Sequence, residues 1–200
     1  VLVFRVVIKG GDRMKKSKIA VSNLYREKGR TEIERKFLEK EVYNEAMRSF
    51  VIVGTDAIIL SGEEKAIYLA KRRIRPMKDW WVIGGRSFNG ELPEESIVRC
   101  FKRETALKIA KKRFNMLCIN RYLWKDREQE PQNVGSDNLI YTFTVKLSEE
   151  EIKAVSENLN REEYEDSGLQ GFDLERLQEE KIHPMIISAY KQIFNRRGKK

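Results

Sequence analysis

A short stretch of this sequence carries residues whose types and spacing suit chemistry on an anion. Gly84-Gly85-Arg86 closes a run of apolar residues, Glu91 follows Gly85 after five residues, and Arg99 follows Glu91 after seven. Pro93 suits the first turn of a helix, which would carry Arg99, Cys100, Arg103 and Glu104. Cys100 and Glu104 are four apart and therefore share a helical face, on which only Glu104 is a carboxylate. A glycine pair ahead of a helix lets backbone approach a phosphate, although that pair alone is a weak signal. His183 is the one histidine of the chain, which leaves no material for a multi-histidine metal site or a Ser-His-Asp triad. Cys100 and Cys118 make neither a disulfide framework nor a zinc pattern and fit a reducing cytoplasm. Trp80 and Trp81 read as core and rim aromatics ahead of a base-stacking platform.

Around these residues the hydrophobic pattern predicts a mixed α/β (α+β) fold, a mixed sheet with helices on both faces. Ile33, Phe37, Leu38, Val42 and Met47 mark an amphipathic helix over Thr31 to Arg48. The β-branched run Phe50 to Leu60 reads as one buried strand or two around Gly54, and Ala66 to Lys71 returns after a turn. Trp80 to Ile83 is a short strand ending at the glycines, and the helix opened by Pro93 continues toward Ala110. Phe114 to Trp124 and Leu139 to Leu147 read as strands, with a polar loop between them. Ser148 to Asn158 and His183 to Phe194 read as helices, and Glu162 to Asp166 as a solvated acidic turn. This places an N-terminal extension over residues 1–48 and a domain over 49–197.

The composition, 40% hydrophobic with nine Phe, seven Tyr and three Trp, supports a packed core, and no apolar run approaches membrane-spanning length. A net charge of +9 invites a nucleic-acid reading, but 31 acidic residues stand against 40 basic ones. The excess reads as solvated surface plus an anion pocket. The first methionine is Met14, and Lys9 to Arg13 can be encoded by a purine-rich ribosome-binding sequence. Met14 is therefore an expected start and the source an expected prokaryote. The alternative is an ordinary strand over Val1 to Ile8.

The segment from Gly85 to Leu107 resembles the Nudix box. Gly85, Glu91, Arg99, Phe101, Glu104 and Leu107 match in unbroken spacing, whereas Cys100 and Arg103 replace glutamates and Ala106 replaces a glycine. The two lost glutamates add one and two positive units where the family holds Mg²⁺ against a diphosphate. The same losses, with Lys71-Arg72, Arg75-Pro76, Trp80, Val82 and Gly84-Gly85-Arg86, make the chain similar to the GDP-mannose mannosyl hydrolases.

That resemblance implies a Nudix fold, a nucleoside diphosphate sugar as substrate, Mg²⁺ in weakened form, and a homodimer paired through the N-terminal part. It implies Glu104 and the Gly85 carbonyl as metal ligands, with Asp166 as a further ligand. Arg72 and Arg86 would neutralise the departing diphosphate, and Asp56 would contact substrate. The base position falls on Ser167, and Glu162, Glu163, Glu165 or Asp166 are carboxylate alternatives. Arg103 opens another expectation, that its guanidinium occupies metal space and binds diphosphate directly. Three functions follow: hydrolysis of a nucleotide sugar or related derivative, a non-catalytic module binding such a ligand, or an RNA-associated protein on the same scaffold.

Overall fold

Ala57-Ile58-Ile59-Leu60 is apolar at every position, which suits a strand covered on both faces. In the computed structural model, which describes residues 33, 36–62 and 64–194, that strand is the centre of the sheet. The elements, in chain order, are α1 (Lys40–Ser49), β1 (Ile52–Ser61), β2 (Ile67–Arg72), β3 (Trp80–Trp81), β4 (Ile83–Arg86) and α2 (Pro93–Thr105). A 3₁₀ turn (Lys111–Arg113), β5 (Asn115–Trp124), β6 (Ser136–Leu147), α3 (Glu149–Glu157), β7 (Tyr164–Phe172), α4 (Leu174–Glu179) and α5 (Pro184–Phe194) follow.

The seven strands run in the order β3-β2-β1-β6-β5, with β4 also paired to β1 and β7 to β2. Strands β1 and β6 are parallel from Ile52↔Asn138 to Ser61↔Leu147, and the other pairings are antiparallel. Alternation along β1 sends Ala57 and Ile59 into a core with Phe101, Phe143 and Val155, and Ile58 and Leu60 into a second core with Leu177 and Ile186. Helices α2 and α3 thus cover one face and α4 and α5 the other, the mixed sandwich the pattern predicts. Ser148 caps α3 by accepting from the Glu151 N–H, while the Glu151 carboxylate accepts from Ser148 N–H. No helix among the described residues is long and apolar enough to cross a membrane.

Four expectations are corrected. The first helix begins at Lys40: residues 36–39 are not helical, and Glu39 stands at ψ 153°. Phe37 instead meets Phe88 edge-on at 5.7 Å, so the apolar spacing serves contacts with a loop. Thr31, Glu32, Glu34 and Arg35 lie outside the described residues, as do Val1 to Ile8, Met14 and the basic tail. The strand expected over Trp80 to Ile83 is two strands, since the chain changes partner at Val82: Trp81 pairs with Ala70, Ile83 with Ala57. Gly84 and Gly85 lie inside β4. Of the acidic run, Glu162 and Glu163 lie in a turn as expected, whereas Glu165 and Asp166 lie on β7.

The fourth correction concerns the end of α2, which stops at Thr105 and not near Ala110. Ala106 takes the left-handed conformation at φ 56°, a position glycine fills without penalty. Ile109 reaches the core from beyond the helix, 3% exposed. Ala106→Gly is therefore expected to stabilise the fold by about 1 kcal/mol, read as a higher urea midpoint at unchanged slope.

Candidate functional site

Strand β1 carries a carboxylate in the middle of the sheet, Asp56, 7% exposed. Its β4 partner is Gly84, and a Cβ there would stand 2.2 Å from Asp56 Oδ1 and 2.3 Å from the Thr55 carbonyl oxygen. Asp56 forms part of the wall of a cleft of about 770 Å³. Arg72 at the end of β2, Arg86 at the end of β4 and Arg103 on α2 line the same cleft, with Trp81, Tyr122 and Trp124 among its aromatic residues. Burial pushes the Asp56 carboxyl up to about 7, against the opposing pull of the Arg72 charge.

The loop between β4 and α2 is braced by an ion pair. The Glu91 carboxylate accepts from Arg99 Nε at 2.6 Å, from Arg99 Nη2 at 2.8 Å and from the Phe88 N–H at 2.8 Å. Arg99 Nη2 also donates to the Arg86 carbonyl at 2.7 Å, and its guanidinium lies 3.7 Å from the Phe88 ring centroid. One side chain thus ties helix, loop and strand end together and sets where Arg86 emerges. Glu91→Gln is expected to cost about 1–3 kcal/mol, read by chemical denaturation; an unchanged midpoint would remove Glu91 from this role.

Arg86 is a largely buried cation. Its Nη2 donates to the Gln129 amide oxygen at 3.4 Å, and its guanidinium lies 5.0 Å from the Tyr43 ring centroid. Among the described residues no carboxylate forms an ion pair with it. Burial lowers its pKa to about 10, so it remains charged at neutral pH. Arg72 donates from Nη2 to Glu163 at 3.2 Å, while its Nε is buried without a hydrogen-bond partner among the described residues. A desolvated guanidinium N–H of this kind calls for an acceptor oxygen.

Glu104 lies behind this wall, 0% exposed. Its Oε1 accepts from Arg103 through Nε and Nη2, and its Oε2 accepts from Asn160 Nδ2 at 3.2 Å. Burial pushes its carboxyl up, as does nearby Glu163, while Arg103 pulls it down. The Arg103 guanidinium lies against β4: a Cβ on Gly85 would stand 2.7 Å from Nη2 and 3.0 Å from Cys100 Sγ. Burial raises the Cys100 thiol too, which keeps it protonated and unsuited to nucleophilic work.

These residues do not fit a Mg²⁺ ion well. Glu104 is the one carboxylate of the α2 face and is already engaged by Arg103 and Asn160. The Gly85 carbonyl oxygen faces β1, where a Cβ on Gly54 would stand 2.9 Å from it. Asp166 is not brought to the site: its side chain is 70% exposed on β7, beside Arg161 at 3.5 Å. Among the described residues no group of three His, Cys, Asp or Glu side chains is placed to hold a metal.

Of the residues singled out from the sequence, Asp56, Arg72, Gly85, Arg86 and Arg103 line one cleft, whereas Glu104 is covered by Arg103. Among the alternative bases only Glu163 lines it; Glu162 and Ser167 are exposed and Glu165 pairs with Lys71 at 3.6 Å. Sequence reasoning missed Arg127, 1% exposed, which donates to the Gln129 and Glu130 carbonyls and shapes the far wall. It missed Tyr122 and Trp124 for want of any local signal. His183 packs edge-on against Trp81 at 5.2 Å and accepts from the Met185 N–H at 3.2 Å, a packing and capping role.

A family model described as the NUDIX domain matches residues 52–192. The chain belongs to the NUDIX domain family. The NUDIX fold is also that of solved structures with low identity to it. A MutT NUDIX hydrolase from Burkholderia pseudomallei is 19% identical at a TM-score of 0.51, over 72% of this chain and 98% of that one. A mutT/nudix family protein from Listeria innocua is 17% identical at 0.51, over 74% and 94%. The MutT protein from Methanosarcina mazei Go1 is 14% identical at 0.51, over 75% and 96%. No curated protein matches the sequence. In this NUDIX domain the cleft lies beside the β4–α2 loop and helix, with guanidinium groups lining it and Glu104 behind them.

Proposed function

We propose that this chain hydrolyses a nucleoside diphosphate derivative of the nucleotide-sugar kind in the cleft around Asp56. The observation that carries the reading is the convergence of Arg72, Arg86 and Arg103 on one cleft that also holds a buried carboxyl titrating near neutrality. Guanidinium groups match phosphate oxygens in pairs, and the aromatic residues of the wall offer apolar surface to a base. The GDP-mannose mannosyl hydrolase resemblance supports cleavage of the sugar C–O bond. In that step water attacks the sugar carbon, Asp56 accepts a water proton, and the diphosphate leaves with the bonding electron pair. Fixed cations stabilise that leaving charge without reorganising.

A second reading, a binding module without turnover, is favoured by the Arg103–Glu104 pairing, which takes the carboxylate of the α2 face out of service. A panel of nucleoside diphosphate sugars, followed by product chromatography, separates the two. Release of nucleoside diphosphate and free sugar, with the oxygen of ¹⁸O-labelled water found in the sugar, supports hydrolysis at carbon. Thermal shifts without products support the module, and neither response from any nucleotide sugar refutes both.

A further inference from the structure

The Arg103–Glu104 pair has an uneven setting. Glu104 is fully buried and backed by Asn160, whereas the Arg103 side chain is 46% exposed and reaches the cleft. The guanidinium is held from behind by Nε and Nη2, and five N–H donors exceed what one carboxylate oxygen can accept. Its front is shared with Arg72 and Arg86, and the carboxylate beside them, Glu163, is paired with Arg72 at 3.2 Å, so a divalent cation entering there would meet guanidinium groups and carboxylates already engaged by them. The thiol of Cys100, adjacent to Gly85, supplies no compensating negative charge.

We propose that Arg103, seated on Glu104, is a built-in cation of the cleft, so that this chain binds a diphosphate without a divalent ion. The inference rests on the reading that the cleft takes a nucleoside diphosphate derivative, and it assigns Glu104 the work of positioning Arg103. The loss of carboxylates on α2 is then a substitution of one charge carrier by another. A guanidinium cannot be stripped by chelators and does not need to be dehydrated as Mg²⁺ does.

The test is calorimetric titration of GDP and of inorganic pyrophosphate, in EDTA and in excess Mg²⁺, with Mn²⁺ binding to the ligand-free protein followed by electron paramagnetic resonance. Wild-type affinity for GDP is expected to differ by less than about threefold between the two conditions, a difference under 1 kcal/mol. Arg103→Ala is expected to weaken GDP binding in EDTA by about tenfold or more. Arg103→Glu, which places a second carboxylate beside Glu104, is expected to lose binding in EDTA and to gain Mn²⁺ affinity. Should that variant fail to fold, Arg103→Lys keeps the charge without the fork and is expected to fall between wild type and alanine. GDP binding abolished by EDTA and restored by Mg²⁺ would overturn the inference and leave the nucleotide reading intact, as would tight Mn²⁺ binding to wild type. No binding of GDP or of pyrophosphate in either condition would overturn the inference, and with no response from the nucleotide-sugar panel it would overturn both.

Discussion

Asp56→Asn is expected to lower turnover of a nucleotide sugar by about 100-fold or more while making the fold more stable above neutral pH. The two effects share one cause. In the unfolded chain this carboxyl titrates near 3.8, and in the folded protein at about 7 because burial disfavours its charge. The folded state therefore holds the proton to higher pH. Its stabilising contribution is full below about pH 4 and is lost as pH rises through about 7. Arg72 offsets part of that loss, while the Tyr122 and Tyr164 rings packed nearby offer no positive charge. The amide cannot ionise, so the variant is expected to be more stable than wild type by up to about 4 kcal/mol at pH 8–9 and nearly equal only below about pH 4. As general base Asp56 works in its ionised form, so wild-type kcat/KM rises with pH through about 7 and then levels. A variant that keeps its rate would remove Asp56 from the chemistry. One that loses rate without gaining stability at high pH would deny the buried, uphill ionisation.

The second large effect falls on the residue facing Asp56. Gly84→Ala puts a methyl group 2.2 Å from Asp56 Oδ1 and 2.3 Å from the Thr55 carbonyl oxygen. Rotation of Asp56 can relieve the first contact, but the second is backbone in the central strand and can yield only by opening the β1–β4 ladder. The expected cost is about 3 kcal/mol or more, with loss of the cleft geometry. Gly62→Ala, where nothing lies within 4 Å of the added carbon, is the control and is expected to be near neutral. Equal midpoints for the two variants would mean that β4 does not lie where it is placed here.

The parts of this fold that can be read from the sequence are those with a local physical signature. Ala57 to Leu60 announce a doubly covered strand by having no polar position, and Ser148 with Glu151 announces a helix start by reciprocal capping. The spacing from Gly85 to Glu104 encodes a loop and helix whose brace, Glu91 to Arg99, forms within one short segment. What escapes is decided by partners distant in sequence. The break at Val82 exists because β2 takes Trp81 and β1 takes Ile83, which no local pattern records. Glu163 stands apart from its acidic neighbours only because Arg72, 91 positions earlier, reaches it. Asp166 shares the same composition and faces outward. Ile33 and Phe37 keep helical spacing yet meet the β4–α2 loop.

The most direct test of the account is the affinity of Arg86→Ala for a nucleoside diphosphate sugar, measured by calorimetry beside wild type. Arg86 has no ion-pair partner among the described residues, so its removal leaves no carboxylate stranded and the variant should remain folded. If the cleft holds the diphosphate, affinity is expected to fall by about 10- to 100-fold, the worth of one buried charge-assisted contact. An unchanged affinity in a folded variant would place the ligand elsewhere and contradict the account.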